Sequence, residues 1–176
     1  VLDGIQILKN RRIEEIDVKN HTISGRKIGL GETFTDRFDR LVLATGAYPI
    51  RPKIEGIELG NVFYLRSIFD ADAIFEKIRT ENIRNVAIAG GGYIGLEMAE
   101  SLLHLGKNVT VVELAPQILT LFDEDFAGIL RQYLERKGVK VFTSEGIQAM
   151  RGKEGKVTHV QTVAREIEAD VVLMSL

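Results

Sequence analysis

The chain has 176 residues, a formal net charge of −2 and no cysteine. Its length allows one large domain or two small ones, and its apolar and charged fractions, 45% and 27%, are those of a globular protein. The nearly balanced charge argues against a nucleic-acid partner, and the lack of thiols excludes disulfides, thiolate metal sites and a cysteine nucleophile within these residues.

The first part of the chain is predicted to consist of short strands. Ile5–Leu8 is the first of them. An antiparallel meander is predicted for three partly alternating runs separated by turn residues, Arg12–Asp17, Thr22–Leu30 and Thr33–Phe38. Leu41–Ala44 is then expected to be a buried strand that stops at Thr45 and Gly46.

A connector follows at residues 46–60, where regular helix is excluded by Pro49, Pro52, Gly56 and Gly60. It is the best candidate for a domain boundary. Ser67–Arg79 is predicted to be a helix, with a capping box formed by Ser67 and Asp70. Its apolar face is expected to comprise Ile68, Ala71, Ile74, Phe75 and Ile78.

The stretch Val86–Glu113 has the pattern of a dinucleotide-binding βαβ unit. An apolar strand, Val86–Ala89, leads into Gly90, Gly92 and Gly95 at GxGxxG spacing, and a helix and a second apolar strand follow. In this pattern the first glycine permits a tight turn, the second lets the backbone approach a pyrophosphate, and the third allows close packing of helix on sheet. The amino end of the helix is expected to direct free amides at the phosphates.

Glu113 ends the second strand of this unit. Its carboxylate is placed to accept hydrogen bonds from the hydroxyls of the adenosine ribose. A 2′-phosphate would be repelled there, and no arginine immediately follows Glu113. The residues therefore predict NAD(H) in preference to NADP(H).

The rest of the chain alternates a helix with short strands. Asp123–Lys137 is predicted to be an amphipathic helix capped by Gly138, with inward residues Phe126, Ile129, Leu130, Tyr133 and Leu134. The predicted strands are Val139–Thr143, a second meander of Ile147–Met150, Val157–Val163 and Arg165–Ile167, and a terminal strand, Asp170–Met174. The expected fold class is α/β, Rossmann-like, with a central parallel sheet flanked by helices and a small antiparallel meander.

Other classes of site find little support in the sequence. The histidines at 21, 104 and 159 are scattered without ligand spacing, so no metal site is expected. No apolar run is long enough for a membrane span, and no signal-peptide pattern opens the chain, which favours the cytoplasm. The first residue is Val1 rather than Met, and both ends suggest a piece excised from a longer protein.

Three motifs give the chain a resemblance to the flavin-dependent pyridine nucleotide-disulphide oxidoreductases, in particular to coenzyme A-disulphide reductases, NADH oxidases and NADH peroxidases. Ala44–Ala47 with the following prolines resembles the ATG motif that closes the FAD domain. Gly90–Glu100 is similar to the NAD-binding turn and helix of that family. Ala169–Ser175 resembles the strand that ends the NAD domain.

The resemblance implies roles for individual residues and a division of the chain. Residues 1–58 would be the C-terminal part of an FAD-binding domain, with Ala44, Thr45 and Gly46 near FAD. Residues 59–176 would be an NAD(P)-binding domain, in which NAD would be bound by Gly90, Gly91, Gly92, Tyr93, Ile94, Gly95, Glu113 and Leu114. Tyr93 would cover the flavin and move aside for the nicotinamide, and Glu97 would position the nicotinamide near the flavin. The cofactors implied for the longer parent are NADH and FAD.

The resemblance also indicates what the chain lacks. Related enzymes have a first FAD-binding βαβ unit, often a redox-active cysteine, and a C-terminal domain through which the parent would form a homodimer. The electrons would pass on to a thiol/disulphide couple, such as coenzyme A disulphide, or to oxygen, and this piece alone is expected to be inactive. Two alternatives remain open: a ferredoxin- or nitrite-reductase-type flavoenzyme without a redox cysteine, and a non-catalytic NAD-sensing module.

Overall fold

The computed structural model describes residues 4–176, and the chain divides into two compact units, one ending at Gly46 and one beginning at Ala47. This division precedes the predicted functional boundary between residues 58 and 59. The connector belongs to the second unit because Glu55 bridges to Ala149 and Gly60 to Lys156. The assignment of residues 1–58 to an FAD domain and 59–176 to an NAD domain stays a prediction.

The first unit contains the predicted antiparallel meander, β1 (Arg11–Asp17), β2 (Thr22–Lys27) and β3 (Thr33–Arg37), in that spatial order. Ile16 pairs with Ile23, and Ile23 pairs with Asp36. Gly25 is required where β2 pairs with β1, because a Cβ there would lie 1.9 Å from the carbonyl oxygen of Arg12.

Two of the strand predictions for the first unit are wrong. Residues 5–8 and 41–44 have no strand structure, and Val42 is 86% exposed rather than buried. A strand needs a hydrogen-bonded neighbour to satisfy its backbone groups. Among the described residues, no strand pairs with either segment, so their apolar composition alone does not make them strands.

The second unit is built on a five-stranded parallel sheet. Its strands are β4 (Val62–Tyr64), β5 (Asn85–Ala89), β6 (Asn108–Val112), β7 (Lys140–Phe142) and β11 (Val171–Met174), in the spatial order β4-β11-β5-β6-β7. The sequence did not predict β4, which is only three residues long and pairs with β11 through Val172 and Val62. The expected α/β fold class with a central parallel sheet is confirmed.

Three helices cover one face of this sheet: α1 (Ile68–Thr80), α2 (Tyr93–His104) and α3 (Glu124–Arg136). They share one apolar core with alternate strand residues such as Val86 and Ile88. The chain advances in one direction from β4 to β5, β6 and β7. Because crossovers between parallel strands are right-handed, connections that advance in the same direction place their helices on the same face.

The second meander covers the opposite face of the sheet. It consists of β8 (Ile147–Lys153), β9 (Lys156–Thr162) and β10 (Glu166–Glu168), antiparallel as predicted. Ala87 and Ala89, which alternate with the helix-facing residues of β5, pack into this second core with Val160. The meander lies on this face because the chain returns across the sheet from β7 to β11, opposite to the helical crossovers.

The helices have the predicted positions but bury fewer residues than predicted. On α1, Ile74 and Ile78 are buried, whereas Ile68, Ala71 and Phe75 are exposed. On α3, Leu134 is buried and Leu130 half-buried, but Phe126, Ile129 and Tyr133 are about half exposed or more. Each helix contacts the sheet through a narrower stripe than its apolar residues span, and on α3 the small Ala127 is buried in that stripe together with Leu134. Every helix within residues 4–176 is too short or too polar to serve as a membrane span.

Candidate functional site

The glycine turn between β5 and α2 is a tight junction. Gly90 has φ +108°, and its N–H donates to the carbonyl oxygen of Val112 at 2.9 Å. A Cβ at Gly90 would lie 2.3 Å from the carbonyl oxygen of Ser175, and one at Gly95 would lie 2.2 Å from the carbonyl oxygen of Gly90. These two glycines therefore allow the turn itself and the close approach of α2 to the strand ends.

The amino end of α2 is open. Gly92 is the N-cap and has no side chain to cap the helix. Among residues 4–176, the N–H groups of Gly92, Tyr93, Ile94 and Gly95 have no hydrogen-bond acceptor. Beyond its own residue and its two chain neighbours, a Cβ at Gly92 would meet no heavy atom of residues 4–176 within 4 Å. The end of the helix is thus open, and its amides and dipole favour an anion.

Glu113 lies directly beside this turn. Its Oε2 accepts the N–H of Gly91 at 2.6 Å, and its Oε1 accepts the N–H of Ala115 at 2.7 Å. The side chain is half-buried. Because a carboxylate has about four acceptor positions, both oxygens keep capacity for further donors. The carboxylate is held in one orientation next to the open helix end.

Leu114 and Gly146 form a surface next to Glu113. Leu114 is 76% exposed, and its Cδ1 would lie 3.0 Å from a Cβ at Gly146. The backbone here is pinned by two bonds, since the N–H of Glu145 donates to the carbonyl oxygen of Glu113 at 3.0 Å and that of Ser144 donates to Ala115 at 2.8 Å. An apolar side chain is therefore presented beside the carboxylate on a fixed backbone.

A cavity of about 320 Å³ lies at the carboxyl ends of β4, β5 and β11. In open parallel sheets, ligands bind at this edge. One wall of the cavity is held in place because Arg66 Nε donates to the carbonyl oxygen of Ala47 at 2.9 Å. The lining comprises Tyr48, Pro49, Leu65, Arg66, Gly92, Tyr93, Ile94, Met174, Ser175 and Leu176.

Tyr93 and Glu97 lie one turn apart at the start of α2. Both border a groove of about 490 Å³ between α2 and α3, and Tyr93 also borders the strand-end cavity. The Tyr93 ring is 54% exposed and meets the ring of Phe122 edge to face, with centroids 5.9 Å apart. Glu97 is exposed and directed to the groove, so its suggested role at the nicotinamide stays a prediction.

The predicted FAD residues Ala44, Thr45 and Gly46 lie in the first unit. All three are exposed, outside any strand, and Gly46 has φ +74°. Their contact with FAD stays a prediction. By contrast, the structure brings Gly90 to Gly95 together with Glu113 and Leu114, as their order along the chain suggested.

Sequence reasoning missed the segment 117–122, which follows Pro116 and packs on the glycine turn. Ile118 is buried, and its Cγ2 would lie 2.7 Å from a Cβ at Gly91. Leu119 has φ +47° and donates its N–H to the carbonyl oxygen of Gly91 at 2.9 Å. No periodic pattern marks such a segment, and a leucine gives no signal for a positive φ.

The family profile described as pyridine nucleotide-disulphide oxidoreductase matches residues 2–176. The chain is 42% identical to an NADH oxidase of Methanocaldococcus jannaschii over 98% of the chain and 38% of that protein. It is 32% identical to a rubredoxin-NAD(+) reductase of Pseudomonas putida over 99% of the chain and 44% of the relative.

A solved structure has the same fold. A NAD-dependent persulfide reductase from A. fulgidus superposes with a TM-score of 0.86 at 34% identity, over 99% of this chain and 32% of that one. The chain thus spans roughly a third to under a half of the length of these proteins.

Proposed function

Because the chain belongs to the pyridine nucleotide-disulphide oxidoreductase family, we propose that residues 59–176 are the NADH-binding portion of a flavin-dependent oxidoreductase. Residues 1–58 are then the C-terminal part of its FAD-binding domain. The observation that carries the proposal is the open amino end of α2, whose four amides have no acceptor among residues 4–176, beside the fixed carboxylate of Glu113. A ligand with an anionic group next to a sugar fits these two features, because the helix end attracts the anion and the carboxylate accepts hydrogen bonds from the sugar hydroxyls.

The residues of the second unit fit the parts of NADH in order. The amides at Gly92–Gly95 would bind the pyrophosphate, since the space at Gly92 is open. Glu113 would accept hydrogen bonds from the adenosine ribose, and Leu114 would cover the adenine. The nicotinamide half would extend to the strand-end cavity bordered by Tyr93 and Ile94. A cavity of this volume falls within the usual range for small-ligand sites.

The two cofactors, when bound, would supply hydride transfer from NADH to FAD, and the electrons would then reduce the disulphide form of a thiol/disulphide couple, such as coenzyme A disulphide, or oxygen. The residues of this chain bind and orient. Tyr93 would cover the flavin in the longer parent and move aside for the nicotinamide, and Glu97 would contribute a carboxylate one turn away. Ala44, Thr45 and Gly46 would lie near FAD in that parent.

NADH is favoured over NADPH by the charge at Glu113. Its carboxylate is fixed by two backbone amides and cannot easily turn away from a 2′-phosphate. The residues that follow it, Leu114, Ala115 and Pro116, offer no positive charge. Repulsion between this carboxylate and a 2′-phosphate would raise the free energy of an NADPH complex.

Two other functions are compatible with an NADH site of this kind. A ferredoxin-reductase type of flavoenzyme, which needs no redox cysteine, is favoured by the similarity to a rubredoxin-NAD(+) reductase. A redox-active cysteine in the residues that precede this segment in the parent would argue for disulphide or NADH oxidase chemistry instead. A non-catalytic NAD-sensing module would bind NADH but leave Thr45 and Gly46 without a role.

Isothermal titration of the chain with NADH tests the proposal. We expect weak binding, no bound flavin after purification and no oxidoreductase turnover by the chain alone, since it would hold only part of the FAD site. An absence of heat with NADH up to about millimolar concentration, where binding energies are near 4 kcal/mol, would contradict NADH binding. A yellow protein would contradict the expectation on flavin.

A further inference from the structure

We propose that Phe122 is a positioning residue for Tyr93, and that this contact keeps the tyrosine ring clear of the cavity that receives the nicotinamide half of NADH. The inference rests on the proposed NADH site. It adds a residue from outside the dinucleotide fingerprint, in the segment 117–122 that links β6 to α3.

The two rings form a directional contact. Their centroids are 5.9 Å apart with planes at 63°, an edge-to-face arrangement. Phe122 is itself supported from α3, because the Phe126 ring stacks on it at 5.1 Å with planes at 22°. Tyr93 therefore contacts the Phe122 ring, which is itself stabilised by stacking on Phe126.

The segment that carries Phe122 is tied to the glycine turn. Leu119 donates its N–H to the carbonyl oxygen of Gly91, and Phe122 donates its own N–H to Leu119 at 2.8 Å. Gln117 Nε2 closes the segment by donating to the carbonyl oxygen of Phe122 at 2.9 Å. The position of the Phe122 ring is thus fixed relative to the turn from which Tyr93 emerges.

The orientation of the Tyr93 ring determines whether it occupies the strand-end cavity or the groove between α2 and α3. Tyr93 borders both the strand-end cavity and the groove between α2 and α3. Phe122 lies at the end of the segment leading into α3, and contact with it favours the conformer directed to that side. Without the contact, the ring gains conformers that enter the strand-end cavity and compete with a nicotinamide ring.

Fluorine NMR of the chain labelled with 3-fluorotyrosine tests this directly. The chain has four tyrosines, and the Tyr93→Phe variant assigns the resonance of Tyr93. We expect Phe122→Leu to shift that resonance without nucleotide and to weaken NADH binding about two- to tenfold, the range that one aromatic pair can support. Phe122→Tyr, which keeps the ring, should restore both values.

Phe75→Leu is the matched control, since Phe75 is similarly exposed but lies on α1. It should leave both the Tyr93 resonance and the NADH affinity unchanged. An unshifted Tyr93 resonance in Phe122→Leu overturns the inference, and so does a shifted resonance with unchanged NADH affinity. A wild-type chain that fails to bind NADH overturns the proposed function itself, a result distinguishable because it appears before any substitution is made.

Discussion

The carboxylate of Glu113 accepts the backbone N–H of Gly91 at 2.6 Å, across a gap from the end of β6 to the turn after β5. The same carboxylate accepts the N–H of Ala115 at 2.7 Å. A residue predicted to bind the ribose therefore also holds the glycine turn in place. In the proposed NADH site, sugar recognition and the geometry of the turn would both depend on this one side chain.

Replacement of this side chain should change nucleotide preference. We expect Glu113→Arg to lower NADH affinity and raise NADPH affinity, because the charge facing the ribose is reversed. Charge-assisted hydrogen bonds contribute about 1.5–3 kcal/mol each, so the loss of NADH affinity should be about tenfold or more. Titration calorimetry with both nucleotides measures it.

Glu113→Gln keeps the size of the side chain without its charge, but it can accept only one of the two backbone N–H groups, because an amide nitrogen is not an acceptor. It therefore measures the structural role of Glu113 without a reversed charge. Thermal unfolding of both variants separates a loosened turn from altered recognition. An unchanged ratio of NADH to NADPH affinity in the folded Arg variant would remove Glu113 from the ribose site.

Gly92 and Gly95 form a matched pair for separating binding from folding. At Gly92 a Cβ would meet no heavy atom of residues 4–176 within 4 Å beyond its own residue and chain neighbours, and φ is −79°, so Gly92→Ala should change stability by less than about 1 kcal/mol. Its methyl group would nevertheless occupy the approach to the pyrophosphate, and NADH affinity should fall about tenfold or more, equivalent to about 1.4 kcal/mol.

Gly95→Ala should behave in the opposite way. Its Cβ would lie 2.2 Å from the carbonyl oxygen of Gly90, a backbone atom that cannot move alone. Overpacking of this kind costs about 1–3 kcal/mol, measurable by urea unfolding. Equal stability of the two alanine variants would contradict this reading of the turn.

Asp170 joins the start of β11 to the start of β5. Its Oδ2 accepts the N–H groups of Arg84 and Asn85, both at 2.8 Å. Asp170→Ala leaves these amides without that acceptor, and we expect a loss of about 1–3 kcal/mol in the free energy of unfolding. Asp72→Ala, at an exposed position of α1, is the control; a similar loss there would argue against a specific role for Asp170.

The capping box of α1 predicts a pH dependence. The pKa of Asp70 is held below its ordinary value, first by the side-chain hydroxyl of Ser67 and then by the backbone N–H groups of Ser67 and Arg66. Because the folded pKa is the lower one, the contribution is complete above the unfolded value of about 3.9. It is lost as the pH falls through the folded pKa.

Asp70→Asn should therefore flatten the acid limb of stability against pH, as followed by circular dichroism from about pH 6 to pH 2. Asp72→Asn on the same helix should leave the slope close to that of the wild type. Parallel acid limbs for Asp70→Asn and the wild type would show that the capping box does not contribute through ionisation.

Local patterns were sufficient for much of the fold. Both meanders, the three helices and the strand–glycine–helix–strand unit were predictable because strand alternation, helix caps and glycine spacing are read within a few neighbouring residues. The prediction was wrong at residues 5–8 and 41–44, and it missed Val62–Tyr64. A short strand is defined by its partner, and for Val62–Tyr64 the partner comes from the far end of the chain.

The sequence by itself determined the class of fold and the residues of the dinucleotide fingerprint, because both depend on periodicity and on the few residue types that permit a tight turn. Only the tertiary structure decided that all three helices share one face, that Phe126 and Ile129 remain exposed, and that Glu113 bonds to Gly91. These features depend on the directions of the crossovers and on contacts between residues far apart in the chain, which no local pattern specifies.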